Sequence, residues 1–283
     1  MKYGFVASYG TIDQMLEMAR EAEAHGWDGV FTWDGISVGE MDTYDPWSLL
    51  GAMAMVTERV RLGAMVFAVT RRRPWKVARE AITIDHLSKG RLVMPVALGA
   101  TPDAAISKVN TDTEDRKIRA QKLDETLAFL EKAWTGEPFS FTGEHGQYQT
   151  GEMVFRPTPV QQPRIPIWNV GAWPREKSMQ RAIRWDGVIA MDVNDPFAHP
   201  GPDMVREIAA WVREHRESDA PFDIVIEGVT EDNGTERERI AALEDAGATW
   251  FIESRWDVER DTPERLLERV RQGPPRVHAG SAI

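Results

Sequence analysis

The chain has 283 residues, of which 42% are hydrophobic and 28% charged, and this is the composition of a globular protein that can bury a large core. Its net charge of −11 argues against nucleic acid or an anionic membrane as a partner, because both bind through an excess of Lys and Arg. The lack of cysteine excludes disulfides, thiolate nucleophiles and sulfur-bound metals.

Short apolar runs alternate with segments of helical periodicity along the chain. The runs that predict strands cover 3–7, 28–34, 62–69, 91–99, 165–172, 187–192, 222–229 and 250–255. The clearest helix begins at Pro74, a residue favoured in the first helical turn, and ends near Gly90. Parallel strands need a crossover helix each time, so this alternation predicts an α/β protein with the (β/α)8 TIM barrel fold, in one domain spanning 1–283. An open doubly wound sheet is the alternative.

Two segments depart from this alternation. Residues 136–164 scatter glycine and proline among aromatic residues, which predicts a small hairpin insertion before the fifth strand, followed by an extended Pro-rich segment. The tail, 273–283, should be flexible. The first residues are typical of a strand and lack the apolar stretch of a signal peptide, so we expect a cytoplasmic protein.

In a barrel, the reacting groups come from the strand ends and from the loops that follow them. These positions hold Ser8, Tyr9, Trp33, Asp34, Thr70–Arg73, Leu98–Ala100, Gly171–Trp173, Asp192–Asp195, Glu227 and Glu253–Trp256. The histidines are scattered, and no His-x-His pair closes a strand. We therefore expect no catalytic metal.

Several of these residues have both a chemical and a structural interpretation. The segment 170–174 predicts a small-residue turn from strand to helix whose unpaired N–H groups suit a phosphate, but Gly171 can also serve the turn alone. The cations of 71–73 could clamp an anion or a substrate carboxylate, or could form a solvated rim. Asp34 could act as an acid or base or cap a loop, and Trp33 could be a wall for an aromatic cofactor or ordinary packing.

A series of short landmarks resembles the luciferase-like flavin-dependent oxidoreductases, the family of bacterial luciferase and the deazaflavin-dependent reductases. The landmarks are Ala-His-Gly-Trp-Asp-Gly-Val-Phe-Thr-Trp-Asp at 24–34, Thr-Glu-Arg-Val-Arg-Leu-Gly at 57–63, Leu-Ser-Lys-Gly-Arg-Leu at 87–92, Leu-Asp-Glu at 123–125, Trp-Thr-Gly-Glu-Pro at 134–138, Gly-Glu-His at 143–145, Pro-Thr-Pro-Val-Gln at 157–161, Pro-Ile-Trp at 166–168 and Asp-Gly at 186–187. Each is weak alone, but their order and spacing are specific. The family has the (β/α)8 fold, which agrees with the strand pattern.

The resemblance implies a flavin-dependent oxidoreductase or monooxygenase that acts on a small organic substrate, with FMN in the barrel mouth or, alternatively, the deazaflavin coenzyme F-420. It implies a non-prolyl cis peptide at Met65–Val66, on the flavin face, and phosphate near the fourth and fifth strand ends. It also implies NAD(P)H or a flavin reductase as the electron source, and a homodimer. The implied cofactor-binding residues are Trp33, Met65, Val66, Ala68, Thr70, Leu98, Gly99, Arg119, Val170, Gly171, Ala172 and Trp173. The catalytic candidates are Asp34 and Arg72, without a metal.

Two positions depart from the family pattern. Many members have a histidine after the second-strand Asp, where this chain has Gly35. The segment after Gly99 also lacks the aromatic and acidic residues that are common there. Either the base is supplied elsewhere, for example by Asp34, or the chemistry needs none. A flavin-binding or partner subunit that has lost catalysis is the alternative function.

Overall fold

The computed structural model describes residues 1–109, 115–231 and 234–276. Its strands are β1 (Lys2–Val6), β2 (Gly29–Thr32), β3 (Arg61–Ala64), β4 (Met94–Val96), β5 (Phe139–Thr142), β6 (Gln149–Met153), β7 (Ile167–Trp173), β8 (Gly187–Asp192), β9 (Asp223–Gly228) and β10 (Trp250–Glu253). Its α-helices are α1 (Ile12–Ala24), α2 (Pro46–Val56), α3 (Pro74–Leu87), α4 (Ala104–Ser107), α5 (Arg116–Ala133), α6 (Glu176–Ala182), α7 (Pro202–His215), α8 (Gly234–Asp245) and α9 (Pro263–Arg271).

The strand order gives the fold class. Eight strands form one sheet in the order β3-β2-β1-β10-β9-β8-β7-β4, and the neighbouring pairs run parallel. A helix follows each of these strands in the chain, so the predicted (β/α)8 TIM barrel fold is confirmed. The strands β5 and β6 pair antiparallel and form the hairpin predicted before the fifth strand of the sheet.

The chain divides into two compact units. Unit 1 contains residues 1–31 and 168–283, and unit 2 contains residues 32–167. The single domain expected for 1–283 stays a prediction.

In unit 1, aromatic rings pack on one face of the sheet. The rings of Trp168 and Trp250 lie 5.2 Å apart, and Trp168 Nε1 donates to Asp223 Oδ2 at 3.1 Å. The opposite face meets the helices, since a Cβ added to Gly171 would lie 2.8 Å from Met179 Sδ on α6. Because side chains alternate along a strand, the residues two and four positions after Trp168, Asp223 and Trp250 share their face, which we call the inner face.

In unit 2, helix α5 holds the hairpin through a buried carboxylate. Glu125 is 2% exposed and accepts backbone N–H groups from His145 at 2.7 Å, Gln147 at 3.2 Å and Tyr148 at 2.8 Å. A Cβ added to Gly143 would lie 1.7 Å from Glu125 Oε2, so this approach requires glycine. Hydrogen bonds to a charged acceptor are strong, and they fix the hairpin against α5.

The structure confirms several predicted boundaries and changes others. Strand β8 covers 187–192 as predicted, and α3 begins at Pro74. The third strand is shorter than predicted, because it ends at Ala64 and is followed by a cis peptide between Met65 and Val66 and by a 3-10 turn, Val69–Arg71. An unbroken apolar run predicts burial, but it does not distinguish a buried strand from a buried turn.

The predicted flexible tail is described in part. Arg276 Nη2 donates to the Gly26 carbonyl at 2.7 Å, so the tail is attached to unit 1 as far as residue 276. Residues 277–283 lie outside the described residues. Over the described ranges, no helix has both the length and the apolarity that crossing a membrane requires.

Candidate functional site

The predicted site residues of unit 2 follow the carboxyl ends of β2, β3 and β4. Asp34 is at their centre, with its side chain fully buried. Its Oδ1 accepts from Arg71 Nη2 at 2.9 Å and from Arg72 Nη2 at 2.8 Å, and its Oδ2 accepts from the Ala68 N–H at 3.0 Å. Arg71 also donates to the Asp34 carbonyl at 2.6 Å. The carboxylate therefore holds the turn after β3 against the end of β2.

A second carboxylate, which the sequence analysis did not select, completes this ion-pair network. Asp103 pairs with Arg71 Nη1 and accepts N–H groups from Ile36 at 3.0 Å, Ser37 at 3.2 Å and Ala105 at 3.0 Å. Burial raises the pKa of Asp103, but these N–H groups and the Arg71 cation lower it more, so the net shift is downward. Asp103 is the N-cap of α4, and an Asp ahead of Ala-Ala-Ile is the signal that could have revealed it.

Two of the three cations of the 71–73 turn, Arg71 and Arg72, pair with carboxylates of this chain. Arg71 is 3% exposed in its side chain and is shared by the two aspartates. Burial lowers the pKa of Arg72, yet Asp34, Glu80 and Asp45 raise it more, so the net shift is upward. Arg73 is exposed. The structure thus gives Arg71 and Arg72 carboxylate partners within the chain, and an anion clamp at this turn stays a prediction.

Five predicted cofactor-binding residues of unit 2 meet at one edge, which we call the β3–β4 edge: Ala68, Thr70, Leu98, Gly99 and Arg119. Thr70 Oγ1 donates to the Leu98 carbonyl at 2.8 Å, and Arg119 Nη1 donates to the Gly99 carbonyl at 2.6 Å. Gly99 has a φ of 80° and approaches Ala68 so closely that an added Cβ would lie 3.2 Å from the Ala68 Cβ. The cis peptide implied at Met65–Val66 is present in the turn that leads to this edge.

Gly35 takes the position where many family members have histidine. A Cβ added there would lie 2.2 Å from Cζ3 of the Trp33 ring. Any side chain at 35 would therefore displace Trp33, which is half-buried. The ring of Trp33 and a side chain at 35 compete for the same space in this chain.

The predicted phosphate turn at 170–174 of unit 1 is wrong in its local structure. Strand β7 continues through Trp173, with Gly171 paired to Ala190, and α6 begins at Glu176. The Ala172 N–H donates to Ser178 Oγ at 3.0 Å, so it is not an unpaired donor. The prediction was wrong because Gly171 is not part of a turn. Its lack of a side chain allows α6 to pack closely against the sheet.

The four residues predicted at the end of β7 split between two faces of the sheet. Val170 and Ala172 lie on the inner face, two and four positions after Trp168. Gly171 lies on the helix face, and Trp173 Nε1 donates to Glu207 Oε2 on α7 at 3.1 Å. Of this group, Val170 and Ala172 are the residues whose side chains point into the barrel.

Metal binding has no evident site in the described ranges. No group of three or more His, Asp or Glu side chains there is arranged to hold an ion. The buried carboxylates of unit 2 are bound instead by backbone N–H groups and guanidinium groups. At the β3–β4 edge, Thr70 and Arg119 are buried, and their polar groups bind the Leu98 and Gly99 carbonyls. Cofactor binding at this edge stays a prediction.

Comparison with solved structures agrees with the strand order. An F420-dependent secondary alcohol dehydrogenase, solved in complex with an F420–acetone adduct, matches with a TM-score of 0.76 over 98% of this chain and 99% of that chain. The sequence identity is 16%, so the likeness shows the fold alone.

Two curated proteins show relatedness in sequence. The F420-dependent glucose-6-phosphate dehydrogenase of Nakamurella multipartita is 29% identical over 181 residues, which are 61% of this chain and 50% of that protein. The oxygenase component of the flavin-dependent trigonelline monooxygenase of Acinetobacter baylyi is 28% identical over 156 residues, which are 55% of this chain and 42% of that protein. These matches span about half the length of the curated relatives.

The family model described as luciferase-like monooxygenase matches residues 3–270, which is nearly the whole described chain. The landmarks of the sequence, the strand order and this match agree with one another. The chain therefore belongs to the luciferase-like monooxygenase family.

Proposed function

We propose that this chain is an oxidoreductase that binds FMN or the deazaflavin F420 at the carboxyl ends of its parallel strands and acts on a small organic substrate. The observation that carries the proposal is the β3–β4 edge, where five residues implied as cofactor contacts meet although they are spread over residues 68–119. Membership of the family supports an oxidoreductase, and the names of its relatives support F420 or a flavin as the cofactor.

The side chains of the β3–β4 edge fit a flat ring with a phosphate tail. Ala68 and Gly99 present little side chain, which leaves that edge low enough for a ring to approach the backbone. Arg119 adds a guanidinium, the group best suited to an anionic oxygen. When bound, the cofactor would supply hydride transfer or the activation of dioxygen, and the protein supplies orientation and electrostatics.

The ion-pair network of Asp34, Arg71, Arg72 and Asp103 positions this edge. It connects the end of β2, the turn after β3 and the start of α4 within unit 2. The Ala68 N–H is itself bound by Asp34, so the backbone at the edge is held directly by the network. Asp34 therefore acts as a positioning residue in this proposal. A homodimer and an external electron source, NAD(P)H or a flavin reductase, belong to the same proposal.

Anaerobic titration of the purified protein with FMN and with F420, followed by fluorescence, tests cofactor binding. Arg119→Gln should weaken FMN about tenfold, the loss of roughly one charge-assisted hydrogen bond, and should leave riboflavin, which lacks the phosphate, unchanged. Lys117→Gln, an exposed cation on the same helix, is the matched control and should bind both as the wild type does.

The outcomes of this titration separate the candidate functions. Uptake of one cofactor, with turnover of its reduced form by a substrate or dioxygen, supports the oxidoreductase and identifies the cofactor. Uptake without turnover on any substrate supports a non-catalytic cofactor-binding subunit instead. A folded wild-type protein that takes up neither cofactor would refute the proposed function.

A further inference from the structure

Unit 1 contains a cavity of about 470 Å³, which we call the unit 1 cavity. Its described lining residues come from the loop between β8 and α7, from the end of β9 and helix α8, and from the loop after β10. They all belong to unit 1, and they include none of the residues implied as cofactor contacts or as catalytic. Small-molecule sites have volumes of about 300–1,000 Å³, so the unit 1 cavity is large enough for a small ligand.

Part of the lining is apolar. Leu243 on α8 is fully buried, and Val229, directly after β9, is half-buried. Pro200 and Pro202 also line the cavity, and neither has a backbone N–H to offer. These surfaces favour an alkyl group of a ligand over water.

Two guanidinium groups give the lining its positive charge. Arg239 binds Glu236 Oε2 through Nε at 3.2 Å and through Nη2 at 2.8 Å, and its Nη2 also donates to the Val229 carbonyl at 2.8 Å. Arg260 binds Asp261 through Nε and through Nη2, both at 3.0 Å. Among the residues that the structure describes, the Nη1 group of each arginine has no acceptor. Such N–H groups are suited to a carboxylate.

The start of α7 adds donors to the same cavity. The helix has 14 residues, begins at Pro202 and has Gly201 as its N-cap, and no side chain caps it. Both residues line the cavity. The positive end of the helix dipole therefore supports a negatively charged group there, in addition to the two guanidinium groups.

The lining also holds a carboxylate without a donor. Glu231 is exposed, and no hydrogen bond or ion pair reaches it from residues 1–109, 115–231 and 234–276. The bond to Asp261 raises the pKa of Arg260 most, and Glu231 is among the charges that add to this shift, so Glu231 lies within electrostatic range of Arg260. Burial, and then the charge of Arg239, lower the pKa of His199, which adds no cation at neutral pH.

The charges of the lining indicate what kind of ligand it accepts. Two arginines, two glutamates and a neutral histidine carry no net formal charge. A simple anion would bind the guanidinium groups but be repelled by Glu231, and a simple cation would meet the reverse. A ligand that carries both charges satisfies the free N–H groups and the free carboxylate together.

We propose that the unit 1 cavity binds a small zwitterion of the α-amino-acid type. Its carboxylate binds the Nη1 groups of Arg239 and Arg260, its ammonium group binds Glu231, and its alkyl side chain lies against the apolar lining. No bond is made or broken in this site. The site lies wholly within unit 1 and does not depend on the proposed function.

Calorimetric titration of the full, cofactor-free chain with three probes of similar shape tests the proposal. The probes at neutral pH are L-leucine, which has both charges, 4-methylpentanoate, which has only the carboxylate, and 3-methylbutylamine, which has only the ammonium group. L-Leucine should bind about tenfold more tightly than either single-charge probe, because each lacks one charge-assisted contact.

Two variants separate the two charged contacts. Arg260→Gln should weaken L-leucine and 4-methylpentanoate about tenfold and leave 3-methylbutylamine unchanged. Glu231→Gln should remove the advantage of L-leucine over 4-methylpentanoate. Lys177→Gln on α6 and Glu214→Gln on α7 are the matched controls, because both side chains are exposed and neither lines the cavity. Both controls should bind L-leucine as the wild type does.

The result that would overturn the proposal is a folded wild-type protein that binds no L-leucine, or binds it no more tightly than 4-methylpentanoate. Binding of L-leucine that neither Arg260→Gln nor Glu231→Gln changes would also overturn it, since the ligand then lies elsewhere. Uptake of FMN or F420 without L-leucine binding overturns this site alone. Binding of L-leucine without uptake of either cofactor overturns the proposed function alone.

Discussion

Replacing Asp34 by asparagine should lower the free energy of unfolding of the protein substantially. The variant keeps the shape of the side chain but leaves Arg71 and Arg72 without the charge that both contact at 2.8–2.9 Å. The side chains of Asp34 and Arg71 are 0% and 3% exposed, so water cannot replace the lost partner. Removing one member of a buried ion pair costs about 3–5 kcal/mol, and we expect Asp34→Asn to lower the free energy of unfolding by this amount.

Equilibrium unfolding in urea at neutral pH measures this change. Asp203→Asn is the control, because Asp203 pairs with Arg206 at 2.6 Å on α7 but is 95% exposed in its side chain. An ion pair at such a surface contributes little, so this variant should unfold at the wild-type midpoint. In an Arg72→Gln background, Asp34→Asn should lower the free energy of unfolding by less, because one of the two cations that lose Asp34 as a partner has already been removed.

A small effect would refute this reasoning. If Asp34→Asn and Asp203→Asn change the unfolding free energy equally, the buried ion pairs do not hold the turn after β3. If Asp34→Asn acts equally in the wild type and in Arg72→Gln, the two side chains are not coupled.

Two further predictions concern unit 1. Gly171→Ala should destabilise the protein by about 1–3 kcal/mol in the same urea assay, because its Cβ would lie 2.4 Å from Val188 Cγ2. Burial, and then the charges of Asp261 and Asp257, raise the pKa of Tyr9 to about 12. An alkaline absorbance titration should therefore show one late phenol ionisation that Tyr9→Phe removes, and the stability contributed by this group should fall as the pH rises from about 10 to about 12.

Each of these two predictions has its own control. Gly151→Ala places a methyl group where no atom lies within 4 Å, so it should leave the unfolding midpoint nearly unchanged. A loss from Gly151→Ala equal to that from Gly171→Ala would contradict the steric argument. For Tyr9, circular dichroism must show the fold intact at the pH of the late ionisation. An unchanged titration curve in Tyr9→Phe would show that another of the four tyrosines ionises last.

The sequence predicted the elements and the fold because both depend on local patterns. Pro74 at a first helical turn fixed the start of α3, and the apolar run at 187–192 matched β8 residue for residue. The alternation of strands with helices was sufficient for the (β/α)8 barrel, since parallel strands require crossovers. The family landmarks located the cis peptide at Met65–Val66, which no propensity argument could have found.

Tertiary structure alone decided what the polar residues do. Asp34 precedes its partners Arg71 and Arg72 by more than thirty residues, and no spacing rule predicts which buried carboxylate receives which cation. The role of Gly171 depended on the helix that packs against it. Glu227 looked like any other acidic residue at a strand end, but among the residues that the structure describes no cation pairs with it, while Glu253, one strand away, is bound by Arg255. Charge pairing inside a protein is set by three-dimensional proximity and burial, which a linear pattern does not contain.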